Sequence, residues 1–127
     1  MQKLKFEAAW DKTLADKDRQ EIQEIFTNSI PSLEDELQFT TVWIAENYKE
    51  ELLVTALIHN QSNTDVTFNQ TAIQFLDGNT VLGEHTFTIK PLRIEPKTSM
   101  PWTFIFPASS FELPDTIEEG ILRLKNE

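Results

Sequence analysis

His59 and His85 are the two imidazoles of the chain, and it contains no cysteine. Nucleophilic catalysis of the Ser-His-acid kind needs a histidine beside an activated serine. The adjacent Ser109 and Ser110 lack the flanking glycines of a nucleophile elbow, and no Gly-x-Ser-x-Gly occurs. His59 closes a run dense in Leu, Val and Ile, and His85 lies in an alternating stretch. Both read as strand-end or sheet-face histidines. Without cysteine there is no thiolate, no disulfide and no sulfur-ligated zinc, and two histidines do not make a three-histidine centre. The acidic clusters Glu34-Asp35-Glu36, Glu50-Glu51 and Glu118-Glu119 lack the spacing of a calcium loop and read as solvated turns. Gly78, Gly83 and Gly120 are isolated, so no phosphate cradle forms from them. Asn60-Gln61-Ser62 and Asn69-Gln70-Thr71 match the glycosylation pattern but read as polar turns. The expectation is a protein with no catalytic set, no metal and no cofactor, and hence not an enzyme.

Aromatic residues carry the stronger binding signal. Trp10, Trp43 and Trp102 are suited to stacking on a sugar or anchoring a protein partner, although large aromatics in a small domain also build cores. Met100-Pro101-Trp102-Thr103-Phe104-Ile105-Phe106-Pro107 sets an aromatic run between prolines. Trp102, Phe104 and Phe106 alternate with Thr103 and Ile105, so both faces of a strand here carry apolar side chains. Sandwich strands usually show one core face and one polar face. Either a helix covers the excess, with Ile105 beneath it, or a partner does. Trp102, Thr103, Phe104 and Ile105 are therefore the candidate partner-binding residues, for an extended segment or a second copy of the chain. The alternative is a cell-wall carbohydrate-binding module with Trp43 or Trp102 as its platform.

These side chains sit on a chain of 127 residues, expected to form one domain over 1–127. Lys and Arg number 11 against 21 Asp and Glu, a formal net charge of −10. So acidic a surface repels nucleic acid and anionic lipid. The start, Met1-Gln2-Lys3-Leu4-Lys5-Phe6-Glu7, has basic residues with no apolar run behind them, so a secretory leader is not expected. No apolar run approaches the roughly 20 residues that span a bilayer. The expected location is cytoplasmic, without membrane insertion.

Leu4, Phe6, Ala8 and Trp10 recur with a period of two and predict a short strand. Asp16 is placed to cap a helix over 16–29, with Ile22, Ile25, Phe26 and Ile30 as its apolar stripe and Pro31 at its end. From about 37 the pattern is strands. Leu37–Ala45 places Leu37, Phe39, Thr41 and Trp43 on one face, and Glu51–His59 reads as a central strand. Val66–Phe68 and Ala72–Leu76 read as one bent strand, and Asp77-Gly78 predicts a hairpin. Shorter strands follow around Phe87, Leu92, Phe104 and Leu122. Seven or eight strands spaced by roughly 8–12 residues, with one N-terminal amphipathic helix, predict a mainly β fold, an immunoglobulin-like sandwich.

Three segments in order resemble the SLAP domain. They are Leu4-Lys-Phe-Glu-Ala-Ala-Trp-Asp-Lys-Thr-Leu14, Leu53-Val-Thr-Ala-Leu-Ile-His-Asn60 and Ile94-Glu-Pro-Lys-Thr-Ser-Met-Pro-Trp-Thr-Phe-Ile-Phe-Pro107. That domain occurs as a duplicated unit in the accessory Sec system S-layer assembly protein of Gram-positive bacteria, whereas this sequence carries one copy. The resemblance spans about Leu4 to Leu124 and is most specific in its last segment. It implies a non-enzymatic protein supporting the export or assembly of surface-layer proteins. Its partners would be the secretion machinery or an exported surface protein. No active-site residue carries over from it.

Overall fold

The computed structural model describes residues 2–125, so 1, 126 and 127 of the expected domain lie outside the described residues. In chain order the elements are β1 (Lys3–Leu4), α1 (Ala8–Thr13), α2 (Asp16–Ser29), β2 (Leu37–Glu46), β3 (Leu52–Asn60), β4 (Val66–Asp77), β5 (Thr80–Ile94), β6 (Thr98–Phe106) and β7 (Gly120–Leu124). Among the described residues seven strands form two sheets, ordered β1-β6-β3-β2 and β5-β4-β7. All pairings are antiparallel except β1 with β6. The mainly β expectation holds.

Alternation explains where the core lies. On β3, Leu52, Val54, Ala56 and Ile58 point one way and are fully buried. They meet Phe104 and Phe106 of β6 and, from the other sheet, Phe68, Ile73, Phe75, Phe87, Leu92, Ile94 and Leu122. Rings from the two sheets interlock edge to face, with Phe87 centred 5.3 Å from both Phe104 and Phe106. Such pairs add about 0.5–1.5 kcal/mol each beyond the area they bury. Ile22 and Leu57 are also fully buried yet stand outside this cluster. Leu57 lies between Ala56 and Ile58, so it points to the opposite face of its sheet, away from the core.

The N-terminal segment departs from the expected strand. Only Lys3 and Leu4 pair, and Ala8–Thr13 is helical. Glu7 explains the switch: its carboxylate accepts from the Ala9 amide at 2.8 Å and caps α1. Among the described residues two α-helices therefore replace the single one expected. Asp16 is the first residue of α2 rather than its cap. Ala15 holds the cap position and supplies no side-chain hydrogen bond. In the expected stripe, Ile22 is fully buried, Ile25 and Phe26 are half-buried, and Ile30 is exposed, at the start of the 3₁₀ turn Ile30–Ser32 that contains Pro31.

A β-bulge alters β2. Its register against β3 shifts between Thr41 and Trp43. A bulge changes the face taken by the residues beyond it. Phe39 packs edge-on against Phe104 in the core, whereas the Trp43 indole donates to Glu21 of α2. Trp43 does not share the face of Leu37 and Phe39. The predicted hairpin forms at Asp77-Gly78, where Gly78 takes φ +60, a value that favours glycine. The separate strands expected around Phe87 and Leu92 are one long strand, β5.

Candidate functional site

β6 carries the predicted site, and its alternation sorts the four candidate residues. Phe104 is fully buried between Phe39, Phe68 and Phe87. It is a core residue, and its assignment to a partner-binding surface is corrected on that ground. Trp102 is half-buried and stacks on Trp10 of α1, with ring centroids 6.4 Å apart and planes 26° apart. Thr103 is half-buried, its hydroxyl 2.8 Å from that of Thr55. Ile105 does not lie under a helix; it is 45 % exposed. The excess apolar surface is thus divided: α1 covers Trp102, and Ile105 faces solvent.

The backbone of β6 adds an open edge. Lys3 N donates to Lys97 O and Lys5 N to Ser99 O, both at 2.9 Å. Odd-numbered residues of β6 therefore turn their peptide groups toward β1, and even-numbered ones toward β3. Strand β1 ends at Leu4, opposite Ser99. The next odd position is Pro101, which has no N–H to leave unpaired. Thr103 and Ile105 follow, and among the described residues neither has a backbone partner on that side.

A cleft of about 310 Å³ opens beside this edge, on the sheet face turned away from the core. Trp10, Thr13 and Leu14 line it from α1 and its end, Ala15 and Asp18 from the start of α2, and Trp43, Thr55 and Thr103 from three adjacent strands. Both indoles are fixed, Trp10 by its stack on Trp102 and Trp43 by a 3.2 Å hydrogen bond to Glu21 Oε1. The sequence marks Trp10, Trp43 and Trp102 alike as stacking or anchoring residues, without showing that Trp10 and Trp43 line one cleft. Their convergence depends on α1 and on the β2 bulge, and neither has a strong local signal.

The histidines are not brought together. His85 packs edge-on to Phe87. His59 is fully buried, with Nδ1 2.6 Å from Ser99 Oγ and Nε2 2.9 Å from Thr40 Oγ1. Gln2 Nε2 donates to the same Ser99 hydroxyl. A Ser-His contact thus exists at Ser99 rather than at Ser109 or Ser110. Its third group is a threonine hydroxyl, and burial removes the histidine from solvent. Desolvation lowers its pKa to about 4. Both hydroxyl partners belong to neighbouring strands, so the imidazole ties β2, β3 and β6 together. Asn60, in one of the glycosylation-like motifs, is buried, and its amide donates to Thr64 O, Ile94 O and Glu95 O. Among the described residues no three metal-ligating side chains cluster, and no helix is long and apolar enough to cross a membrane.

Comparison with known families matches the chain to the SLAP domain over residues 4–122. A search of curated proteins and a search of solved structures each returned no match. The match covers nearly the whole chain, including both helices, the open β6 edge and the tryptophan cleft. The chain belongs to the SLAP-domain family.

Proposed function

From this membership we propose that the chain is a non-enzymatic, cytoplasmic, protein-binding domain that supports the export or assembly of surface-layer or other secreted proteins. The family's name ties it to the accessory Sec system and the S-layer. One observation carries the binding part: the peptide groups of Thr103 and Ile105 lie on an open sheet edge beside an exposed Ile105. An extended segment adds to such an edge through main-chain hydrogen bonds, and side-chain contacts supply selectivity. The partner in this reading is an exported surface protein or a component of the secretion machinery. A second copy of the chain would pair through the same edge. The order β2-β3-β6 opposite β5-β4-β7 supports an immunoglobulin-like reading of the sandwich, in which such edges are available.

Site-specific photo-cross-linking in the host cell tests the proposal. A photoreactive residue replacing Ile105 should give a discrete adduct that mass spectrometry identifies as an exported surface protein or a secretion component. The same residue at Val81, exposed at 44 % on the other sheet, should not. No adduct at 105, or the same adducts at both positions, would refute the reading.

A further inference from the structure

We propose that the cleft between the helices and the outer sheet face receives a basic side chain, arginine or lysine, from the extended segment that docks on β6. The inference deepens the docking reading above and rests on it for the partner, though not for the cleft's chemistry. A strand added beside Thr103 directs every second side chain to the face on which the cleft opens. Thr103 itself lines the cleft, so the distance to be crossed is one strand spacing, about 4.8 Å.

The lining chooses the charge. Two indoles line it, and an indole π face attracts a cation and stacks against a planar guanidinium. Asp18 is half-buried and, among the described residues, its carboxylate has neither an ion pair nor a side-chain hydrogen bond. The hydroxyls are already partly engaged: Thr55 and Thr103 with each other, and Thr13 with Ala9 O. Asp18 is therefore the strongest free polar group of the lining. Neighbouring cations do not satisfy it. Arg19 is paired with Asp11 at 2.8 Å and lies over the Phe6 ring, and Lys12 and Lys17 are exposed. Asp16 and Asp18 share the first turn of α2, where they offset the partial positive charge of the helix start. Glu21, which accepts from the Trp43 indole, adds a further negative charge nearby. At about 310 Å³ the cleft sits at the small end of ligand sites, which run from roughly 300 Å³ upward, and suits one side chain.

The test uses ¹⁵N-labelled protein, in which the indole N–H groups of Trp10, Trp43 and Trp102 give one signal each, assigned by single Trp→Phe substitutions. The probe is acetyl-Val-Arg-Val-amide, and its control has citrulline, the uncharged isostere, in place of arginine. The arginine peptide should shift the Trp10 and Trp43 signals saturably, and citrulline should weaken binding about fivefold or more. Asp18→Asn should weaken the arginine peptide by a similar factor while leaving the fold intact, as judged by the remaining amide signals. Equal binding of the citrulline peptide overturns the inference without relying on any variant. So does an unchanged affinity in Asp18→Asn, or a response to N-acetylglucosamine but not to the arginine peptide. Loss of the arginine effect with the Ile105 adduct intact overturns this inference alone; the converse overturns the docking reading alone.

Discussion

Acid should weaken this protein through His59. The buried imidazole has a pKa of about 4 against an ordinary 6.5, and the cause is desolvation. Two hydroxyls face it, from Thr40 and Ser99, and no carboxylate contacts it to favour the charged form. Between pH 6.5 and 4 the unfolded chain binds a proton that the folded chain refuses, so stability rises with pH across that window. The contribution is complete above about pH 6.5 and lost as pH falls toward 4. The difference of about 2.5 pH units corresponds to about 3 kcal/mol in full, most of which is lost by pH 4.5. An opposing effect must be separated from it. The chain carries a net charge of −10, so acid also relieves self-repulsion. Glu84 and Glu95 are held below the usual carboxylate range, by hydrogen bonds from Gln74 and Lys125 and from Lys5 respectively, and they lose their contributions only at lower pH. Urea unfolding of the wild type and of His59→Gln, followed by tryptophan fluorescence at pH 7.5, 6, 5 and 4.5, isolates the histidine. The variant starts less stable, but its pH dependence should be flatter by about 2–3 kcal/mol between pH 7.5 and 4.5. Parallel curves would refute the reasoning, because the imidazole would then not be the group that burial penalises.

Ile22→Ala should cost about 2–5 kcal/mol, because the side chain is fully buried, and half-buried Phe26→Ala should cost less than the roughly 3–5 kcal/mol of a buried phenylalanine. An unchanged denaturant midpoint for Ile22→Ala would show α2 to be a free appendage. Gly120→Ala should destabilise by about 1–3 kcal/mol, since a Cβ there would stand 2.9 Å from the buried Phe75 ring and 2.5 Å from Ile44 Cδ1; a wild-type melting temperature would contradict that crowding. Elemental analysis of the purified protein should find no stoichiometric zinc, as expected of a chain with no cysteine and two separated histidines. One tightly held transition metal per chain would overturn the non-enzymatic reading.

What was legible in the sequence follows from how local each signal is. The α2 stripe, the Asp77-Gly78 turn and the central strand depend on periodicity or turn chemistry within a few residues; the turn forms as expected, the strand within one residue of its expected ends, and the stripe except at exposed Ile30. The strand predicted from Leu4 to Trp10 failed because four alternating residues fit a strand as well as they fit a strand end followed by a capped helical turn. The deciding contact, Glu7 on the Ala9 amide, concerns hydrogen bonding rather than hydrophobicity. The bulge in β2 left no mark in its own composition, yet it turned Trp43 away from the core and toward α2.

The same distinction explains the site. Alternation in β6 correctly divided its side chains between two faces, but it could not rank them. Phe104 and Ile105 are adjacent apolar residues with opposite fates, set by what the other sheet and the helices place against each face. The open edge was legible only in part. Pro101 is the residue expected where a strand's outward N–H would otherwise go unpaired, and its position in the run is consistent with that. That the edge stays open beyond it follows from β1 stopping at Leu4, a consequence of the chain leaving to form α1. The helix that shortens β1 also carries Trp10 onto Trp102 and into the cleft. One local event at Glu7 therefore does two things: it exposes the strand edge and assembles the aromatic lining beside it. A Glu7→Ala variant that weakens α1 should accordingly disturb the Trp10 and Trp102 indole signals together, while Trp43, anchored from α2, stays in place. Independent behaviour of Trp10 and Trp102 would separate the edge from the cleft and remove the physical link between them.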